Sequence, residues 1–145
     1  MSDRILILNS DGELLKTYKV PLNKVAFEGA NLVGEVLYDA QLGGMNFKNA
    51  NLYWALLSEA NLDNADFENA DLRGINLQSA SCVGTSFRGA NLGRSNVGGG
   101  SRLQGTNLSG AILNRAILMG AEYDDETIFP KGFLPQSHGM VEVDE

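Results

Sequence analysis

The sequence is poor in the side chains that carry most enzyme chemistry. Its 145 residues include one cysteine, Cys82, and one histidine, His138. A lone cysteine excludes an intramolecular disulfide, and the glycine run at 98–100 lacks the lysine and helix of a phosphate-binding loop. The acidic run at 124–126 lacks the pattern of a calcium loop. We therefore expect no catalytic residue, no cofactor and no bound metal.

Long apolar runs and a secretory leader are missing as well. No stretch reaches the roughly 18 consecutive apolar residues of a membrane-spanning helix, so we expect no membrane partner. The amino terminus has a short apolar burst at 5–8, without the basic start or the longer apolar core of a signal peptide. These absences predict a cytoplasmic protein.

What the sequence does contain is a five-residue repeat, which runs from Val25 to Tyr123. Its plainest form, Ala-Asn-Leu, stands at 30–32 and returns at 50–52, 60–62 and 90–92. A large apolar residue, the centre, recurs every five residues, and phenylalanine takes this place every twenty residues. Fixed repeats predict a solenoid in which each coil buries its apolar side against the next. Four units per coil predict a square cross-section, with rungs about 4.8 Å apart.

The four sides of the predicted coil start at Phe27 (side one), Leu32 (side two), Leu37 (side three) and Leu42 (side four). The small residue two places before each centre is expected to point inward with it. Val97 is predicted to be a buried centre on side three. The extra residue in the run Gly98-Gly99-Gly100 is predicted to form a bulge that bends the shaft. The structural core ladder of side one is predicted to be Phe27, Phe47, Phe67, Phe87 and Leu108.

The position two after each centre must form a sharp corner. It is often Gly or Asn, which tolerate the positive φ of a type II turn. Six corners carry other residues, and for these we predict type I turns with negative φ. They are Asp39, Trp54, Glu59, Ser79, Arg94 and Arg115.

These A(D/N)LXX units resemble those of the pentapeptide repeat family. The closing stretch at 121–130 resembles the end of many cyanobacterial stand-alone members. The resemblance implies an all-β fold, a right-handed quadrilateral β-helix, here of about five four-sided coils. It also implies a non-catalytic role, because the better understood roles in the family are topoisomerase inhibition and binding of regulatory proteins.

The chain divides into three predicted parts: a hairpin cap at 1–24, the β-helix at 25–123, and a carboxy-terminal cap with an acidic tail at 124–145. Two apolar runs flank Asp11-Gly12, a turn signal that predicts a hairpin over the open first coil. Val20-Pro21-Leu22 is interpreted as a degenerate unit that leads into the shaft. Ile128, Phe129, Phe133 and Leu134 are expected to cover the last coil. Pro130 and Pro135 are expected to forbid further ladder pairing at that end, and residues 136–145 are expected to be a mobile tail.

Charge is unevenly distributed around a net value of −7. Residues 25–72 are acidic with Lys48 as the only cation, whereas residues 73–121 contain arginines and no acid. Three interpretations stay open: local pairing between rungs, self-association of the acidic half of one shaft with the basic half of another, and an anionic partner. Local pairing is predicted in one column, made of Glu28, Lys48, Glu68 and Arg88.

The best candidate contact patch is predicted around side two, because exposed Trp, Tyr and Arg are enriched at interface hot spots. Its five residues are Tyr53, Trp54, Arg73, Arg94 and Arg115. A cation–π contact between Arg73 and either ring would instead explain the cluster as side chains that contact one another and need no partner. One exposed aromatic pair is weak support for nucleic-acid stacking. We interpret the chain as a non-enzymatic solenoid that presents a rigid surface to an unidentified protein.

Two alternatives follow from the charge pattern. The first is a DNA-mimic inhibitor of topoisomerases (gyrase), although only half of the shaft is acidic. Its acids would be Glu59, Asp63, Asp66, Glu68 and Asp71. The second is a self-associating structural protein. Glu35 takes an inward place where Ala or Ser is usual. Either it lies near enough to the capped end to reach water, or that side of the coil is splayed.

Overall fold

The computed structural model describes residues 2–21 and 27–144. The predicted unit that ends at Leu22, the boundary between 24 and 25, and Glu145 lie outside the described residues. Strands β1 (Ser2–Leu8) and β2 (Leu14–Pro21) form an antiparallel hairpin. Strand β3 (Glu122–Tyr123), a 3-10 helix (Pro135–His138) and strand β4 (Val141–Glu142) lie near the carboxyl terminus. Between the two ends the chain forms parallel bridges from coil to coil.

The coil is defined by bridges between residues twenty apart. Asn31 pairs with Asn51, Asn51 with Asp71 and Asp71 with Asn91, all in parallel. Each bridge uses both directions of hydrogen bonding, as in Leu32 N–H to the Asn51 carbonyl (2.7 Å) and Asn51 N–H to the Ala30 carbonyl (2.9 Å). The bridging residue therefore points outward, while its two neighbours, the small residue and the centre, point into the core.

The phenylalanines of side one form a continuous stack inside the shaft. Neighbouring rings from Phe27 to Phe87 lie 5.1, 4.7 and 5.5 Å apart between centroids, with interplanar angles of 4° to 6°. Phe47, Phe67 and Phe87 have no exposed surface. The spacing of the rings follows the spacing of the rungs, so the side chains inherit the regularity of the backbone.

The prediction of type I turns at five of the six unusual corners is wrong. Asp39, Trp54, Glu59, Ser79 and Arg115 all have φ between 57° and 60°. Their N–H groups donate to the next rung where one exists, as in Trp54 N–H to the Arg73 carbonyl (3.1 Å). Because every corner belongs to the same ladder, pairing along the shaft imposes the left-handed conformation even on residues that disfavour it. Arg94 does not have positive φ, since the ladder is interrupted there.

The predicted one-residue bulge at Gly98-Gly99-Gly100 is also wrong. Asn76 pairs with Arg102 and Ser81 pairs with Asn107, so the offset grows from twenty to twenty-six residues. A whole unit plus one residue leaves the coil as an outward loop at 93–100, and Val97 is 74% exposed instead of buried. The loop closes on itself through Ser95 N–H to the Gly99 carbonyl (2.7 Å).

This longer insertion shifts every later centre by one side. Phe87 N–H donates to the Ile112 carbonyl, which places Leu113 on the phenylalanine stack. Leu108, predicted as the fifth member of that ladder, lies instead on side four next to Cys82, whose N–H donates to the Asn107 carbonyl. The repeat has the same period on every side, so its sequence alone does not distinguish an insertion of one residue from one of six.

The hairpin packs on the first coil, at one end of the shaft. Gln41 N–H donates to the Leu8 carbonyl (2.7 Å), which adds β1 to side four. Ile7 is fully buried, and the ring of Tyr18 meets Phe27 edge-on at 5.0 Å. The apolar end of the stack is therefore covered by two side chains from the hairpin.

The carboxy-terminal segment is ordered through Asp144, and the prediction of a mobile tail from 136 is wrong for residues 136–144. Strand β4 pairs in parallel with β3, with Val141 N–H donating to the Ala121 carbonyl (2.8 Å). Met140 is buried, and Phe129 and Phe133 pack on the core. Ile128 and Leu134, expected to cover the last coil, are mostly exposed. The prediction that Pro130 and Pro135 forbid further ladder pairing is also wrong, because the chain returns to the ladder at Val141.

One buried carboxylate organises the turn at 124–127. Asp124 accepts hydrogen bonds from Gly105 N–H (2.9 Å), Glu126 N–H (3.1 Å) and the Thr127 hydroxyl (3.1 Å). Burial by itself would raise the pKa of this carboxyl, but these donors outweigh it and hold the pKa below its ordinary value of 3.8.

Asp124→Asn is therefore expected to destabilise the chain by about 1 kcal/mol at pH 7, because a charged acceptor of several donors becomes a neutral one. Since the folded pKa is depressed, the contribution of Asp124 is present above pH 3.8 and is lost as pH falls through the folded pKa. Urea unfolding of wild type, Asp124→Asn and the exposed neighbour Asp125→Asn at pH 7 and pH 3 checks this. Equal stability of the two variants at pH 7 would contradict it.

Candidate protein-binding surface

Tyr53 and Arg73 meet on side two in a fixed arrangement. The guanidinium carbon of Arg73 lies 5.3 Å from the centroid of the Tyr53 ring. Two of its nitrogens donate to Asp71 at 2.9 and 2.7 Å, and the hydrogen bonds from Arg73 hold the pKa of Asp71 below its ordinary value. The Tyr53 hydroxyl accepts from Asn96 N–H (3.1 Å). The outward loop at 93–100 therefore folds back over two rungs, and its hydrogen bond fixes the Tyr53 side chain beside Arg73.

Trp54 lies at the next corner and is 44% exposed. Gly34 and Gly74 occupy the same corner on the neighbouring rungs, with φ of 68° and 70°, whereas Trp54 adopts φ of 60° with a bulky side chain. The indole lies over Gly74, where an added methyl group would come within 2.9 Å of Trp54 Nε1. A glycine above the indole thus makes room for it on the surface.

A groove of about 120 Å³ extends from Trp54 onto side three. Its lining includes Leu56, Gly74, Arg102 and Glu122. Side three continues below the groove with Val36, which bridges to Leu56. Val36 is 65% and Leu56 is 40% exposed, although Asn or Asp is usual at this outward place. The apolar surface around Trp54 is therefore formed by Val36, Trp54 and Leu56 together, and we call it the Trp54 surface.

The other two predicted contact residues do not join this group. The side chain of Arg94 lies across Gly120, where an added methyl group would meet Arg94 Nε at 2.5 Å. Arg115 stands at the corner after side one, because Gly89 N–H donates to the Asn114 carbonyl. The prediction that Arg115 shares a corner column with Trp54 is wrong for the same reason as for Leu108. The structure brings Tyr53, Trp54 and Arg73 together and leaves Arg115 apart.

The acids of the alternative DNA-mimic surface are engaged with the protein's own donors. Lys48 Nζ lies 3.6 Å from Asp66 and 3.5 Å from Glu68, and these two carboxylates raise the pKa of the Lys48 ammonium. Asp63 accepts from Val83 N–H (3.0 Å) and from a serine hydroxyl. The ion pair between Lys48 and Glu68 belongs to the predicted column. Among the described residues, neither Glu28 nor Arg88 forms an ion pair.

Sequence reasoning missed two features. Glu35, which had no evident partner, accepts from the Tyr18 hydroxyl (3.0 Å) and pairs with Lys16, so it anchors the hairpin to the coil. Burial and the nearby carboxylate together raise the pKa of Tyr18 well above its usual range. The outward apolar pair Val36 and Leu56 was also missed, although two such residues twenty apart were a signal that the repeat itself provided.

Four observations concern metal binding, the cysteine thiol, the histidine ring and membrane-spanning helices. Among residues 2–21 and 27–144, no group of three or more His, Cys, Asp or Glu side chains could hold a metal ion. Burial raises the pKa of the Cys82 thiol well above its usual range, so the thiol stays protonated. The His138 ring stacks on Phe133 at 4.4 Å. Within the part described, no helix is long and apolar enough to cross a bilayer.

The chain matches known protein-family models and solved structures. Family models described as "Pentapeptide repeat region" and "Pentapeptide repeats (8 copies)" match residues 20–97 and 99–122. Comparison with curated proteins finds no match. The crystal structure of the pentapeptide repeat protein Rfr23 from the cyanobacterium Cyanothece 51142 is similar, with 32% identity and a TM-score of 0.64. That match covers 77% of this chain and 71% of Rfr23.

Two further solved structures are also similar. A pentapeptide repeat protein from the thylakoid lumen of Arabidopsis thaliana has 28% identity and a TM-score of 0.55, over 68% of both chains. QnrB1, a plasmid-mediated fluoroquinolone resistance protein, has 22% identity and a TM-score of 0.44, over 82% of this chain and 78% of QnrB1. The likeness to QnrB1 is too low to carry an argument about function. Taken with the coil-to-coil pairing, the family match over more than half of the sequence shows that the chain belongs to the pentapeptide repeat family.

Proposed function

We propose that this protein is a non-enzymatic scaffold that binds a partner protein through the Trp54 surface. The observation that carries the proposal is the conformation of Trp54. A bulky residue with positive φ is strained by about 1–2 kcal/mol relative to right-handed backbone, and glycine serves at the same corner on the rungs on either side. The ladder imposes this conformation on every such corner, so what points to binding is that a bulky, 44% exposed indole stands where both neighbouring rungs have glycine.

The surface around Trp54 suits a protein partner more than a small molecule. The groove measures about 120 Å³, well below the roughly 300–1,000 Å³ of a small-molecule pocket, and its lining combines Trp54 and Leu56 with Arg102 and Glu122. An aromatic anchor within a polar rim is the usual composition of an interface hot spot. Arg73 and Tyr53 add a second, already ordered pair beside it.

Rigidity supports the same proposal. The strands below the surface are tied to the rungs on both sides, as in Leu56 N–H to the Glu35 carbonyl (2.9 Å) and Leu57 N–H to the Asn76 carbonyl (2.8 Å). A surface that is already in its bound shape loses little conformational entropy on association. The paired acids at Asp66, Glu68 and Asp71 weaken the DNA-mimic alternative, because their charge is partly neutralised by Lys48 and Arg73.

Trp54→Gly separates a binding role from a structural one. We expect its free energy of unfolding to stay within about 1 kcal/mol of wild type, because relief of the left-handed strain offsets lost packing and the greater freedom of glycine when unfolded. Binding to the partner is expected to weaken at least about tenfold, as for a central hot-spot residue. Urea unfolding and titration of the purified partner measure the two effects.

The partner is found by photo-crosslinking in cells of the source organism. A photoreactive amino acid replaces Leu56 on the Trp54 surface or, as the control, Val83, which is similarly exposed on side four. We expect a discrete adduct with another protein at position 56, absent at 83 and lost with Trp54→Gly. The same adducts at both positions would overturn the proposal. An adduct with a second copy of the chain would favour self-association instead.

A cytoplasmic location remains a prediction, because one similar protein comes from the thylakoid lumen. Cell fractionation tests it.

A further inference from the structure

The ladder is incomplete on two sides of the last coil. Strand β4 continues side three, and Ile128 continues side four by pairing with Asn107. On sides one and two, within the described residues, the N–H groups of Leu113 and Leu118 and the carbonyls of Ala111 and Ala116 have no hydrogen-bond partner. In every earlier coil the equivalent groups bond to the next rung. The last coil therefore ends in a short open strand edge.

The earlier coils define what this edge accepts. One outward residue of the next rung makes both bonds, since Asn51 donates its N–H to Ala30 and receives Leu32 N–H on its own carbonyl. The residue two further along accepts from the corner, as Tyr53 accepts from Gly34 N–H (2.9 Å). An extended segment above side one would thus pair one residue with Ala111 and Leu113. A later carbonyl of that segment would take Arg115 N–H.

A groove of about 340 Å³ lies along this edge. Its lining includes Leu113 and Asn114 of the last coil and Lys131, Phe133 and His138 of the cap. None of the residues that line it is acidic, and Arg115 follows directly at the corner. The groove thus combines the apolar side chains of Leu113 and Phe133, an open backbone edge and the positive charge of Lys131, in a chain whose net charge is −7.

The chain already uses this type of pairing on side three. Strand β4 follows a long irregular connection and then adds in parallel to β3, with Val141 bonding to Ala121 and Val143 N–H to the Tyr123 carbonyl (2.8 Å). Its sequence, Val-Glu-Val-Asp-Glu at 141–145, is acidic. The last coil therefore receives acidic extended chain as its next rung on one side, and offers the same edge empty on another.

We propose that side one of the last coil binds an extended acidic peptide by parallel β-strand addition, with Ala111 and Leu113 as the pairing residues. Strand addition takes its affinity from main-chain hydrogen bonds and its selectivity from alternate side chains. The peptide would follow the small–X–apolar pattern of the repeat itself, since the small and apolar residues face the core and X faces solvent. Lys131 and Arg115 would select acidic residues at X and in the flanks. This site is separate from the Trp54 surface, so each proposal stands or fails alone.

The test uses the full chain and a fluorescein-labelled synthetic heptapeptide, Glu-Asp-Ala-Glu-Leu-Glu-Asp. Two backbone-methylated forms distinguish strand addition from charge attraction. Methylation of the central Glu nitrogen removes the donor to the Ala111 carbonyl, whereas methylation of the Leu nitrogen alters a group that faces away from the edge. Fluorescence anisotropy is expected to show saturable binding, weakened about tenfold by the first methyl group and little changed by the second.

Protein variants provide the second arm. Lys131→Glu is expected to weaken binding several-fold, and Lys19→Glu on β2 to leave it unchanged, although both reverse one exposed lysine. Circular dichroism verifies that both variants fold. Absence of saturable binding, equal affinity for the two methylated peptides, or equal effects of the two lysine variants would each overturn the proposal. Trp54→Gly is expected to leave peptide binding unchanged.

Discussion

Phe67→Ala is expected to lower the free energy of unfolding by about 3–5 kcal/mol, a large part of the total stability of a domain this size. Phe67 has no exposed surface and stacks between Phe47 at 4.7 Å and Phe87 at 5.5 Å. Its removal leaves a cavity within a rigid ladder, where the hydrogen-bonded rungs on either side prevent collapse. Urea unfolding monitored by circular dichroism measures the effect.

Phe67→Leu is the matched control, because Leu113 already fills the same column two coils later. It retains much of the volume and is expected to cost no more than about 1.5 kcal/mol. A loss below about 1 kcal/mol for Phe67→Ala would mean that neighbouring coils adjust their spacing. The shaft would then be softer than its ladder of hydrogen bonds indicates.

Gly100→Ala is expected to destabilise the protein by about 3 kcal/mol and to displace the outward loop at 93–100. A methyl group at this position would come within 2.0 Å of the Gly120 carbonyl oxygen, a backbone atom held by the ladder. The loop must therefore move, and it carries Asn96 away from Tyr53. Trp54 is the only tryptophan, so its fluorescence reports the movement beside it.

Gly99→Ala is the control for this substitution. Its methyl group would meet only Ser95 Oγ, at 3.9 Å, and Gly99 does not have positive φ. Alanine there is expected to be neutral or to stabilise by up to about 1 kcal/mol, since it restricts the unfolded chain. Similar losses for both variants would show that the close approach of Gly100 to Gly120 does not hold the loop in place.

The candidate surface was only partly predictable from sequence. Tyr53, Trp54 and Arg73 fall at outward places on neighbouring rungs before the insertion, and the structure brings them together. Arg94 and Arg115 lie at or beyond the insertion, where the register assumed from the repeat no longer holds. The role of Asn96, which pins Tyr53 from a distant part of the chain, had no signal in the local pattern.

The sequence by itself determined the period, the inward centres before residue 93 and the stack from Phe27 to Phe87, because each depends only on spacing within a repeat. Tertiary structure decided the rest. The left-handed conformation of Trp54 comes from pairing with Arg73 on the next rung, against the preference of the residue. The size of the insertion depends on which coil Arg102 meets, and a repeat of uniform period is equally compatible with several registers. Two contacts hold the observed register: the close approach of Gly100 to Gly120, and the bond from Asn96 to Tyr53.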